Sequence, residues 1–136
     1  MIENLNESYF EKLAEALDNI IPVAWDTIIF YVEIEPDVVT HLFYFKESGN
    51  SNFTQGGDIY EKYNVSRKEY LLYVSEVSDL ILEFNSEYSD QADSKWTSLT
   101  FLLESTGEFK TEFGYDNLEL KSDTNRHNEW KEKYLS

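Results

Sequence analysis

The chain predicts an α+β fold: an antiparallel sheet of four to five strands from two hairpins, packed with an N-terminal helix, a long central helix and a short C-terminal helix. Two observations carry this. Apolar residues recur about every 3.6 positions in two long segments, one over residues 4–20 and one running on from Ser66. Around them lie two pairs of β-forming runs, each pair joined by a short turn, which makes the pairs antiparallel hairpins. Layering helices on such a sheet is the economical way to bury the apolar faces of both.

In the first helix, Leu5, Tyr9, Leu13, Ala16, Leu17 and Ile20 form the apolar stripe. Asn4 followed by Glu7 resembles an N-cap pair, and Pro22 cannot continue the helix. Over residues 25–35 the period falls to two. Ile28, Phe30, Val32 and Ile34 alternate with Ile29, Tyr31, Glu33 and Glu35, and Pro36-Asp37 reads as a turn. A second strand follows, with Val39, His41, Phe43 and Phe45 on one face. Glu47 to Gly57 reads as loop, with room for a short edge strand near Phe53.

The central helix has the clearest start. Ser66 and Glu69 fit a capping box, flanked by Val65 and Tyr70 as a hydrophobic staple. Tyr70, Tyr73, Val77, Leu80, Ile81, Phe84 and Tyr88 make its apolar stripe, which Leu71, Val74 and Leu82 are expected to widen. Glu76, Asp79, Glu83, Glu87 and Asp90 make an acidic stripe on the other side. Trp96 to Leu103 is strongly β-forming, and Glu104 to Gly107 turns it. Phe109, Thr111, Phe113 and Tyr115 then alternate with Glu108, Lys110, Glu112 and Gly114, giving a partner strand with one polar face. Asp123 is the expected N-cap of the terminal helix, which carries His127, Trp130 and Tyr134 along one side.

With 136 residues the chain is read as one domain, 1–136. Its 41% apolar and 16% aromatic residues set it apart from chains too polar to fold. It has no Cys, which excludes disulfides and thiolate chemistry and suits a cytoplasmic location. No signal peptide is visible at the N-terminus, and no segment approaches the ~20 apolar residues of a membrane span.

The charge is the strongest functional signal. There are 27 acidic and 11 basic residues, a net charge of −16. From Met1 to Phe45 the one basic residue is Lys12, against nine acids, and from Glu69 to Ser94 there is neither Lys nor Arg against seven acids. Such a field repels nucleic acid, whose affinity comes mostly from Lys and Arg on phosphate. It attracts a protein with a basic surface. A solvated helix face is the usual meaning of one acidic stripe. Here, however, acids neighbour acids with no Lys at i+4 to offset them, so the field carries a small stability cost across a whole helix.

Catalytic patterns are sparse. His41 and His127 read as packed or surface histidines, and they form no HxxxH or HExxH pattern. There is no phosphate-binding Gly loop, no GxSxG elbow and no regularly spaced Ca²⁺ loop. Asp37 with Glu108-Phe109-Lys110 echoes a metal-dependent nuclease site, but such fragments are short and the field has the wrong sign for holding DNA. No cofactor and no catalytic residue are expected.

Several segments carry a family resemblance: Trp96 to Thr100, Leu103 to Lys110 through Glu104-Ser105-Thr106-Gly107, Phe113 to Asp116, and Trp130 to Leu135. With Ile20-Ile21-Pro22, Trp25, Phe43 to Phe45, Asp58-Ile59 and Tyr63 to Ser66, they resemble the YezG-like family of bacterial immunity proteins, or antitoxins. The resemblance implies a cytoplasmic protein that binds and neutralises the toxic C-terminal domain of a type VII-secreted toxin, commonly a nuclease. Gly114 departs from the pattern, standing where an acid is expected. The contact set expected on this reading is Glu76, Asp79, Glu83 and Glu87 of the central helix, with Glu108, Glu112, Tyr115 and Asp116 of the last hairpin. Alternatives left open are a chaperone or adaptor for an exported protein, and a metal-dependent enzyme.

Overall fold

The computed structural model describes residues 2–36, 38–92 and 94–135. In chain order it contains α1 (Ile2–Ile20), β1 (Trp25–Glu35), β2 (Val38–Glu47), β3 (Thr54–Gln55), α2 (Ile59–Lys62), α3 (Arg67–Ala92), β4 (Ser98–Glu104), β5 (Phe109–Gly114) and α4 (Asp123–Leu135). Single 3-10 turns lie at Gly56–Asp58 and Leu118–Leu120. The strands form one antiparallel sheet in the order β3-β2-β1-β4-β5. The two hairpins are thus joined through β1 and β4, where Phe30 lies opposite Phe101.

Both faces of this sheet are covered. Ile28, Phe30, Val32, Phe45, Leu99 and Phe101 pack against Leu13 and Leu17 of α1 and Val77, Ile81 and Phe84 of α3. Ile29, Tyr31 and Tyr44 form a smaller cluster with Trp130 of α4. That is why β1 is buried without a break from Ile28 to Glu33: a central strand between two helical layers has no solvent face. Each of these large side chains contributes roughly 1.5–3 kcal/mol by leaving water. Between α3 and the sheet, the buried Asn85 donates to the Trp96 carbonyl at 2.8 Å, satisfying a backbone group where β4 begins.

Several local expectations shift. Helix α1 already begins at Ile2, so Asn4 lies within it and does not cap it. At α3 the Ser66 hydroxyl accepts the Glu69 N–H at 3.5 Å, one of the two bonds of a capping box, and Val65 and Tyr70 both pack against the core. The cap of α4 is Ser122, whose hydroxyl accepts the Asn125 N–H at 3.2 Å; Asp123 is the first helical residue. Leu71 and Leu82 do not widen the core face. Val77, Ile81 and Phe84 fix the rotation of α3, and this leaves the two leucines roughly 110–130° round the helix from the buried face. They are 48% and 46% exposed. Tyr73 is also exposed, at 36%. Asp37, and with it half of the Pro36-Asp37 turn and the nuclease-like fragment, lies outside the described residues.

Gly56 marks a close approach of backbone to core. A Cβ at this position would collide with the ring of the buried Phe43. Replacing Gly56 with Ala is expected to cost about 1–3 kcal/mol by overpacking, seen as a lower thermal midpoint, whereas Gly57→Ala, which meets open space, serves as the neutral control.

Candidate partner-binding surface

Helix α3 is 26 residues long and carries no basic residue after Lys68. Its buried stripe faces α1 and the sheet, so Glu76, Asp79, Glu83 and Glu87 are turned to solvent by helical periodicity alone, and all four are exposed. Glu83 and Glu87 stand on the side toward α1. There Tyr9 stacks on Phe84 with ring centres 4.8 Å apart. Burial, with the Glu87 and Glu83 carboxylates close to its hydroxyl, holds the Tyr9 phenol well above the ordinary value. Asp79 and Glu76 lie one and two turns before Glu83. The row is about three turns long and consists of acids alone.

The last hairpin divides the remaining predicted contacts between the two sides of the sheet. Tyr115 belongs with α3: its hydroxyl is 2.8 Å from that of Tyr88, and Phe113 lies against Phe84 and Tyr88. Glu112 points the opposite way, where Lys133 of α4 donates to it at 2.8 Å. That hydrogen bond lowers the Glu112 carboxyl from its ordinary value. Glu108 is exposed at the turn, its carbonyl accepting from the Glu104 N–H at 2.9 Å. Asp116 is exposed, and its carbonyl accepts from the Thr97 hydroxyl at 2.7 Å. The four α3 acids therefore form one row, Tyr115 sits beside Tyr88 toward the C-terminal end of the same helix, and Glu108, Glu112 and Asp116 lie apart from that row along the last hairpin.

A cleft of about 540 Å³ opens between α4, the Leu118–Leu120 turn and the sheet. Its cations are matched internally: Lys121 pairs with Glu129 and Lys133 with Glu112, each at 2.8 Å. Gly114 lines this cleft, and a side chain there would displace the Ser98 hydroxyl. An acid at position 114 would thus project toward α4 and away from the α3 row.

The charge cluster that sequence reading missed sits at one end of this layer. Glu33, 1% exposed, accepts from the Tyr31 hydroxyl at 2.6 Å and from Arg126 Nε at 2.9 Å; His127 Nε2 lies 3.1 Å from its other oxygen. Burial by itself raises the Glu33 carboxyl, but the hydrogen bonds from Arg126, Tyr31 and His127 outweigh it and hold the group below its ordinary value. Arg126 also donates to Glu35, Asp123 and the Leu118 and Lys121 carbonyls. Glu33, Glu35 and Asp123 bring carboxylate oxygens within 4.8 Å of one another, a spacing that suits a metal ion. Here the Arg126 guanidinium hydrogen-bonds all three, so the cluster is organised around an arginine. His127 thus has the structural role expected of it. So does His41, half-buried with its ring 6.0 Å from Phe30, where burial lowers its pKa.

Fold and surface define an acidic α+β protein with an exposed row of carboxylates along its longest helix. No helix among the described residues is long and apolar enough to cross a membrane. The chain belongs to the YezG-like immunity protein family: residues 5–136 match the family described as "Immunity protein YezG-like". It is 31% identical over 112 residues to "Immunity protein YezG" of Bacillus subtilis (strain 168), covering 82% of this chain and 74% of the relative. It is 29% identical over 109 residues to the protein of the same name from Bacillus spizizenii, covering 80% and 68%. Membership supports an immunity, or antitoxin, role.

Proposed function

We propose that this protein works in the cytoplasm as the antitoxin of a type VII-secreted toxin, binding its C-terminal nuclease domain stoichiometrically and without catalysis. The observation that carries this reading is the α3 row: four exposed carboxylates on a helix with no Lys or Arg after Lys68. A nuclease domain must present Lys and Arg to hold phosphates, and that is the surface such a row attracts. Glu76, Asp79, Glu83 and Glu87, with Tyr115, form the proposed principal contact. Glu108, Glu112 and Asp116 form a second contact that the partner reaches past the β5 edge. Glu112 joins only by exchanging or sharing its lysine.

Co-expression with the toxin-like nuclease encoded beside its gene, followed by co-purification and a DNA-degradation assay, tests the reading. The expected result is a stable complex with nuclease activity abolished. A stable complex that still cuts DNA would replace inhibition with a chaperone role, and no complex would overturn the choice of partner. Association is expected to slow as salt rises from low ionic strength through ~0.15 M, where the screening length is about 8 Å. A salt-independent on-rate in stopped-flow fluorescence would remove charge from the recognition step.

A further inference from the structure

Helix α3 offers more than acid. Of the eight large apolar side chains that stand exposed among the described residues, four are on this one helix: Leu71, Leu72, Tyr73 and Leu82. Leu71, Ser75, Ser78 and Leu82 follow at spacings of four, three and four. That averages about 3.7 residues, close to the helix's own 3.6, so the four side chains form a straight stripe, a seam that accepts a second helix laid alongside. The serines between the leucines keep the middle of the seam shallow, so another backbone can come close. Asp79 flanks it on the solvent side, and Glu83 and Glu76 follow further round the helix toward α1.

We propose that this seam is the docking groove for an amphipathic helix of the toxin domain, whose apolar residues recur at three and four and whose flanks carry Lys or Arg. The inference rests on the reading that the partner is that basic domain, and it goes further by naming the anchors and the element they receive. Charge complementarity selects the occupant. A second copy of this chain would bring the same acids against the same seam, and like charges facing each other across an interface cost several kcal/mol. A basic helix matches both features at once, its apolar side covering Leu71 and Leu82 and its cations facing Asp79 at the seam's edge, with Glu76 and Glu83 adding to the attracting field. The leucines then supply the desolvated anchor, and the acids supply speed and orientation.

The test is surface plasmon resonance with the purified toxin domain against three forms: wild type, L71S/L82S, and V38S/L120S, which removes two exposed apolar residues outside α3. Since Leu71 and Leu82 are outside the core, L71S/L82S should keep its thermal midpoint. It is expected to bind on the order of a hundredfold more weakly, mostly through faster dissociation, with the salt slope of association unchanged. V38S/L120S should match wild type. A photo-crosslinker at Ser75 should capture a toxin segment with helical apolar spacing bordered by Lys or Arg. Binding of L71S/L82S within about threefold of wild type would overturn the proposal while leaving the choice of partner intact, as would crosslinks to a strand or loop. Wild-type dimers that vanish in L71S/L82S on sedimentation would overturn it in favour of a second copy. Failure of wild type to bind the toxin domain would overturn both readings together.

Discussion

Replacing Arg126 with Ala is expected to destabilise the fold by about 3–5 kcal/mol, because it leaves a buried carboxylate without its cation. Glu33 is 1% exposed and the Arg126 side chain 10%, so solvent does little to screen the loss. The same arginine ties β1 to α4 and to the Leu118–Leu120 turn, so the covering of the second sheet face loosens with it. Thermal unfolding should show a midpoint lower by roughly 10 °C or more. A double variant, Glu33→Gln with Arg126→Leu, should lose less than Arg126→Ala alone, since no charge is then buried unpaired. If the single and double variants were equally destabilised, the loss would lie in packing and not in the orphaned charge.

The pH dependence of that difference is also fixed. In the native protein the Glu33 carboxyl lies below its usual 4.5. Its contribution is therefore present above pH 4.5 and is lost as pH falls through the native value. Without Arg126, burial becomes the dominant influence and raises the group, which reverses the sign: the variant gains from protonation as pH falls. The stability gap between Arg126→Ala and wild type should narrow on acidification, as read by denaturant titration at pH 7 and near pH 4. A constant gap would mean that Arg126 does not control Glu33.

The elements were legible where one periodicity dominated. The spacing of Leu13, Leu17 and Ile20, the Ser66 cap and the alternation in β5 each identify an element from neighbours a few residues apart. What could not be read was which side of each element would be covered. Ile28 to Val32 is an unbroken apolar run, the mark of a strand buried on both faces, but alternation with Ile29 and Tyr31 does not tell that Glu33 is buried with them. Its partner Arg126 is 93 residues away, and no local pattern announces that pairing. Leu71 and Leu82 have the composition of core residues; only the rotation set by Val77, Ile81 and Phe84 turns them outward. Glu112 stands on the polar side of β5 that alternation gave it, whereas Glu108 falls in the turn before the strand, and the strand's own sequence does not tell that α3 lies across the other side.

Reversing Glu76 and Asp79 to Lys is expected to slow association with the toxin domain by roughly tenfold or more at low salt, because steering depends on local potential at the docking face. Each reversal changes the charge by two, moving the net charge from −16 to −12. This pair is the cleaner choice on α3, since Glu83 and Glu87 also lie against the buried Tyr9 hydroxyl. Reversing Glu119 and Glu129 makes the same change in net charge on the α4 side, where Glu129 gives up only an exposed pair with Lys121, a loss worth about 0–1 kcal/mol. If the field that guides the toxin is the α3 row, the first variant slows far more than the second, and the two converge near 1 M salt, where the screening length is about 3 Å. Equal slowing in both would assign the steering to net charge alone, and the row on α3 would lose its place as the docking face.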